Sequence, residues 1–143
     1  MYRPHAIAAA AVFAALVSGA PARAEMITYG TDLKGAMEVP PNATKGVGDV
    51  EATLDTATRK FTYTINYSGI TGPATAAHFH GPAAPGVNAP PIVPINGDLK
   101  SPIKGEATLT EAQVKDMQDG KVYFNVHTAD NKGGEIRGQL IKK

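Results

Sequence analysis

Three of the four histidines in this 143-residue chain have the types and spacing of a metal site. His78 and His80 stand two positions apart, so on a β-strand both imidazoles leave the same face. Two rings placed that way can converge on one ion through bonds of about 2.0–2.1 Å. His127 closes a second alternating run, and its same-face neighbours Tyr123 and Asn125 are hydrogen-bonding groups suited to fixing a ligand ring. A lone histidine in a β domain is ordinarily a surface or packed residue. Here the three are every histidine beyond the N-terminal segment that holds His5, and each falls at a strand end beside a Gly-rich turn. Three imidazoles suit copper first and zinc second, since Cu(II) outranks the other divalent ions in the Irving–Williams order. Met37 and Glu38, just before Pro40-Pro41, also carry ligating groups, and either one or a water is a candidate fourth ligand. Their spacing alone favours a packed Met37 and an exposed Glu38.

Other chemistry is thin. The absence of cysteine removes a thiol nucleophile, a Cys-rich zinc site and an iron–sulfur cluster. Beyond residue 24 the serines are Ser68 and Ser101, neither in a G-x-S-x-G context, and no Gly-rich phosphate loop occurs. Asp49 and Glu51 share a strand face and read as a solvated pair. Basic residues are scattered, with only the pairs Arg59-Lys60 and Lys142-Lys143 side by side, so no nucleic-acid footprint appears.

The N-terminus reads as a cleavable export signal spanning residues 1–24. Arg3 supplies the positive start, Ala6 to Val17 is almost wholly apolar, and Ala22-Arg23-Ala24 forms an A-x-A cleavage site. That run is short of the roughly 20 residues a membrane-spanning helix needs. The expected mature domain is 25–143, periplasmic or secreted, with 12 basic residues against 13 acidic and a net charge of −1.

The elements that must position the histidines read at period two. Val50, Ala52 and Leu54 alternate with polar residues, as do Phe61, Tyr63, Ile65 and Tyr67. Asp55 to Arg59 between them predicts a hairpin connection. Val122, Phe124 and Val126 form a third run, and Ile136, Gly138 and Leu140 a fourth, joined by turn chemistry at Asp130–Gly134. Shorter strands are expected over 27–33, 75–80, 92–95 and 105–109. Thr110 and Gln113 form a capping box ahead of one short helix to Gln118, which Gly120 can end. About eight strands with one helix predict an all-β, Greek-key-like β-sandwich. Five prolines between Gly81 and Pro94 make that stretch an ordered, stiff loop anchored by Ile92, Val93 and Ile95.

With those residues in place, the chain resembles the CHRD family, named after repeats in chordin. The resemblance rests on Leu33-Lys34-Gly35-Ala36-Met37-Glu38-Val39-Pro40-Pro41, Ala77-His78-Phe79-His80-Gly81-Pro82, Val122-Tyr123-Phe124-Asn125-Val126-His127-Thr128 and Gly134-Glu135-Ile136-Arg137-Gly138-Gln139-Leu140. It covers residues 30–141 and departs at Met37, where the family often has a polar residue. It implies a β-sandwich, found alone in many exported bacterial proteins. A weaker likeness joins His78, His80 and His127 to the copper ligands of Cu/Zn superoxide dismutase, with Arg137 in the place of that family's anion-guiding arginine. The zinc-loop histidines, the bridging histidine and both disulfide cysteines of that family are missing. Three functions follow as expectations: an exported copper-handling domain, a metal-free interaction module using the Gly81–Pro94 loop, and a mononuclear copper redox enzyme.

Overall fold

The computed structural model describes residues 23–143, so the expected export signal, except Arg23 and Ala24, lies outside the described residues. Strands β1 (Met26–Lys34), β2 (Val47–Asp55), β3 (Lys60–Ser68), β4 (Ala74–His80), β5 (Pro91–Pro94) and β6 (Ile103–Thr108) precede helix α1 (Glu111–Gln118). Strands β7 (Tyr123–Thr128), β8 (Ile136–Gln139) and β9 (Ile141–Lys142) follow it. Nine strands form where about eight are expected, because the last apolar run divides. Leu140 donates its backbone N–H to Val122, and β9 then turns away to pair with β1.

The capping box at α1 is present. Gln113 N donates to Thr110 Oγ1 at 3.2 Å, and Thr110 N donates to Gln113 Oε1 at 2.9 Å, an arrangement that stabilises a short helix by about 1 kcal/mol. Among the described residues no helix is long and apolar enough to cross a membrane.

The strands are antiparallel in the order β5-β4-β7-β8-β1-β2-β3-β6, a sheet nearly closed on itself and sandwich-like, as the alternation predicts. The halves β5-β4-β7-β8 and β1-β2-β3-β6 meet where Lys34 pairs with Arg137. Gly138 sits at this crossing because a Cβ there would run into the carbonyl oxygen of Asp32. Inside, Phe79 packs edge-on to Phe61 and tilted against Phe124, with ring centroids 5.0 and 4.7 Å apart. Burying Phe79, Phe124 and Val126 inward sends the alternate residues of β4 and β7 outward. His78 therefore lies across from Asn125, which lies across from Arg137, and His80 across from Tyr123, which lies across from Gln139.

That outward face is not solvated, which corrects the simple reading of polar alternation. Residues 81–90 and 38–42 fold over it, and Tyr123, Asn125 and Arg137 are all buried. Glu135, just before β8, is fully buried as well. Its carboxylate accepts hydrogen bonds from Thr44 Oγ1, Thr71 N, Thr71 Oγ1 and Thr128 Oγ1 at 2.6–2.9 Å. Burial pushes its pKa up, but the bonds from Thr128, Thr44 and Thr71 outweigh this and hold it below the ordinary glutamate value. A depressed folded-state pKa gives stability that is present above the unfolded value of about 4.3 and is lost as pH falls below it. Glu135→Gln removes one charged acceptor oxygen, and should cost about 3 kcal/mol in urea unfolding at pH 7. The difference from wild type should shrink as pH falls below 4; a constant difference would show that the charge is not the cause.

Candidate metal centre

The antiparallel neighbours β4 and β7, far apart in the chain, bring the three histidines together. One ring nitrogen of each lies within 4.8 Å of those of the other two. His78 Nδ1 and His127 Nε2 are 3.3 Å apart. Two bonds of about 2.05 Å spanning that gap subtend about 107°, close to the tetrahedral angle of zinc sites. His80 stands farther off, its ring centroid 5.4 Å from that of His78 and 6.2 Å from that of His127. To ligate the same ion its nitrogen must close by up to about 0.7 Å, since two such bonds reach only about 4.1 Å.

Backbone carbonyls fix which nitrogens are offered. His127 Nδ1 is 2.9 Å from the carbonyl oxygen of Lys132, and His80 Nδ1 is 2.8 Å from that of Ala89. A carbonyl oxygen only accepts, so Nδ1 of each ring is held as a donor, and for His127 this leaves the lone pair on Nε2. This is the outer-shell arrangement typical of metal-binding histidines.

Around His80 the support is dense. Its ring stacks on Tyr123, with centroids 4.6 Å apart and planes 4° from parallel. Arg137 lies over the Tyr123 ring, Cζ 3.5 Å from its centroid. The Tyr123 hydroxyl bonds to both the N–H and the carbonyl of Ala89. Tyr123 and Asn125 thus contact a candidate ligand, as their shared strand face predicts. Asn125 places Oδ1 2.9 Å from His80 Nε2 and donates Nδ2 to Glu38 Oε1 at 3.3 Å. That orientation suits a protonated His80 with an ionised Glu38; turning the amide over suits a neutral His80 with a protonated Glu38. Gly134 makes room for the pair, since a Cβ there would meet Glu38 Oε1 and Asn125 Nδ2.

Electrostatics favour uncharged rings. Burial, then the neighbouring His127 and His80, hold the His78 pKa below its ordinary value. Burial also lowers that of His80, against the opposing bonds from Ala89 and Asn125. Glu38 is pushed up to about 6, chiefly by burial, with Asn125 and Arg137 opposing.

Two readings of the sequence are corrected here. Met37 is 46% exposed and Glu38 only 4%, the reverse of what their spacing favours. Met37 sits in a groove with Thr31, Asp32, Lys34 and Ile141, none of which belongs to the histidine cluster. Glu38 turns inward instead and reaches the cluster through Asn125 rather than directly. Arg137 is 2% exposed, donating to Asn88 Oδ1 at 2.9 Å and to the Val87 carbonyl at 2.6 Å. A guanidinium so engaged holds a loop; it does not sit free to guide anions. The residues missed by sequence reasoning are the carbonyls of Ala89 and Lys132, which leave no side-chain signature. Arg137 did leave one, as the polar position of its strand facing Asn125.

Fold and site together define a class: an antiparallel all-β domain with a loop-covered cluster of three histidines on one outer sheet face. The chain belongs to the CHRD domain family, whose family model matches residues 29–140. Neither the curated proteins nor the solved structures contain a match to the chain.

Proposed function

We propose that this protein is an exported copper-binding domain in which His78, His80 and His127 hold one ion, with zinc as the alternative. CHRD domains are typically extracellular, which agrees with an export signal over residues 1–24 and a periplasmic or secreted location. The observation that carries the reading is that one ring nitrogen of each histidine lies within 4.8 Å of those of the other two, with the Lys132 carbonyl at His127 Nδ1 leaving the His127 Nε2 lone pair against His78. In the free protein the short His78–His127 contact needs a proton between two lone-pair atoms, and an ion takes that proton's place. Burial adds to this by keeping His78 and His80 uncharged, the state that ligates. The role that fits is binding, buffering or delivery of copper outside the cytoplasm.

Native mass spectrometry of the exported protein tests location and metal together. The expected species begins at Glu25 and carries one copper or zinc ion, lost on acidification. A protein that begins at Met1, or takes up no ion from either metal in excess, overturns the corresponding half of the proposal.

A further inference from the structure

We infer that Arg137 is a positioning residue that sets the tautomer of His80, through the loop it holds against the sheet. The inference rests on the metal-site reading for its purpose, but its geometry stands without any metal. His80 has an oxygen acceptor at each ring nitrogen: the Ala89 carbonyl at 2.8 Å from Nδ1 and Asn125 Oδ1 at 2.9 Å from Nε2. A neutral ring has one proton to give. If it goes to Asn125, Nε2 is blocked and no lone pair faces the cluster. If it goes to Ala89, Nε2 is free, and the Asn125 amide can turn over to donate to it or yield to an ion. The two acceptors are not equivalent, because an amide side chain can rotate and a backbone carbonyl can move only with its loop. The loop's position therefore decides the tautomer.

Arg137 holds that loop just ahead of Ala89. Its two terminal nitrogens reach the Val87 carbonyl and the Asn88 side chain, two bonds from a planar fork that lysine cannot reproduce. The same guanidinium lies on Tyr123, whose other neighbours are the His80 ring and, through its hydroxyl, Ala89. Arg137 thus acts on His80 by two routes, one through the loop backbone and one through the tyrosine ring. The arrangement also explains a 2% exposed cation with no ion pair among the described residues: its donors are spent on the loop. His127 provides an internal reference. Its Nδ1 is held by Lys132, in the turn between β7 and β8, which Arg137 does not touch.

The test uses the metal-free full-length mature domain with ¹⁵N-labelled histidine, read by long-range ¹H–¹⁵N spectra at pH 8. In the wild type, His80 and His127 should both carry the proton on Nδ1. In Arg137→Met, and in Arg137→Lys, His80 should shift toward the Nε2–H form while His127 is unchanged. Asn88→Ala, at an exposed loop position, removes one of Arg137's two loop bonds, together with the bond from Asn88 Nδ2 to the Val39 carbonyl, without disturbing the core, and should move His80 the same way by a smaller amount. Zinc affinity should fall about 10–100-fold in Arg137→Met, the usual cost of losing an outer-shell contact. A His80 that keeps its Nδ1 proton in both Arg137→Met and Asn88→Ala overturns the inference. So does an equal change at His127 in Asn88→Ala, which would indicate general loosening. Should the wild type bind no metal at all, the metal-site reading falls while the tautomer result still decides the role of Arg137.

Discussion

Replacing His78 and His80 together by alanine should abolish binding of Cu(II) and Zn(II), and replacing any one of the three histidines should cost more than about 100-fold. Each single change removes a whole ligand bond, so its effect should exceed the 10–100-fold typical of outer-shell residues. Substitution of Tyr123 or Asn125, which touch His80 from its flat side and its edge, should fall within that smaller range. The pH dependence has a defined sign. An imidazole must be neutral to ligate, and burial holds the His78 and His80 pKa values below the ordinary one. Affinity should therefore be level above the ordinary pKa of about 6.5 and fall only as pH drops below it. Calorimetric titration with both metals at pH 8, 6.5 and 5 measures this directly. Unchanged affinity in the triple His→Ala variant would end the metal reading, and the metal-free interaction module presenting the Gly81–Pro94 loop would take its place.

Phe79→Ala should remove about 3–5 kcal/mol of stability, a large fraction of the 5–15 kcal/mol that holds a typical domain. Phe79 is fully buried and its ring touches those of Phe61, Tyr63 and Phe124, with centroids 4.7–5.1 Å apart. Truncation leaves a cavity at the point where the two halves of the sheet face each other, and rigid strands on both sides cannot collapse into it. Because Phe79 lies between His78 and His80, its inward packing is what turns both rings outward. Urea unfolding should show a lower midpoint with little change in slope. Metal saturation should recover part of the loss, since an ion that binds only the folded state stabilises it by mass action. A loss under 1 kcal/mol would mean that the aromatic cluster does not carry the core.

The alternation of Phe61, Tyr63 and Ile65, and of Phe124 and Val126, is legible in the chain because a half-buried strand writes its period of two into neighbouring residues. The same holds for Thr110 and Gln113, whose capping box needs only one turn of helix, and for His78 and His80, whose common face follows from local geometry. That His127 comes within 3.3 Å of His78 was not local information. It required β7 to pair with β4 across 49 positions, in a register set by burying Phe79 against Phe124. Glu38 and Arg137 depart from the one-dimensional reading for a single reason. Alternation tells which side of a strand faces the core, but not what folds over the other side. Only the tertiary structure decided that the outer face is roofed by the proline-rich loop and the Glu38–Asn42 segment, which makes polar residues on that face buried, mutually bonded groups. The sequence by itself determined the strands and the candidate ligand residues; only the tertiary structure set the roof's Ala89 carbonyl against His80 Nδ1, and the β7–β8 turn set the Lys132 carbonyl against His127 Nδ1, because a backbone acceptor leaves no side-chain signature.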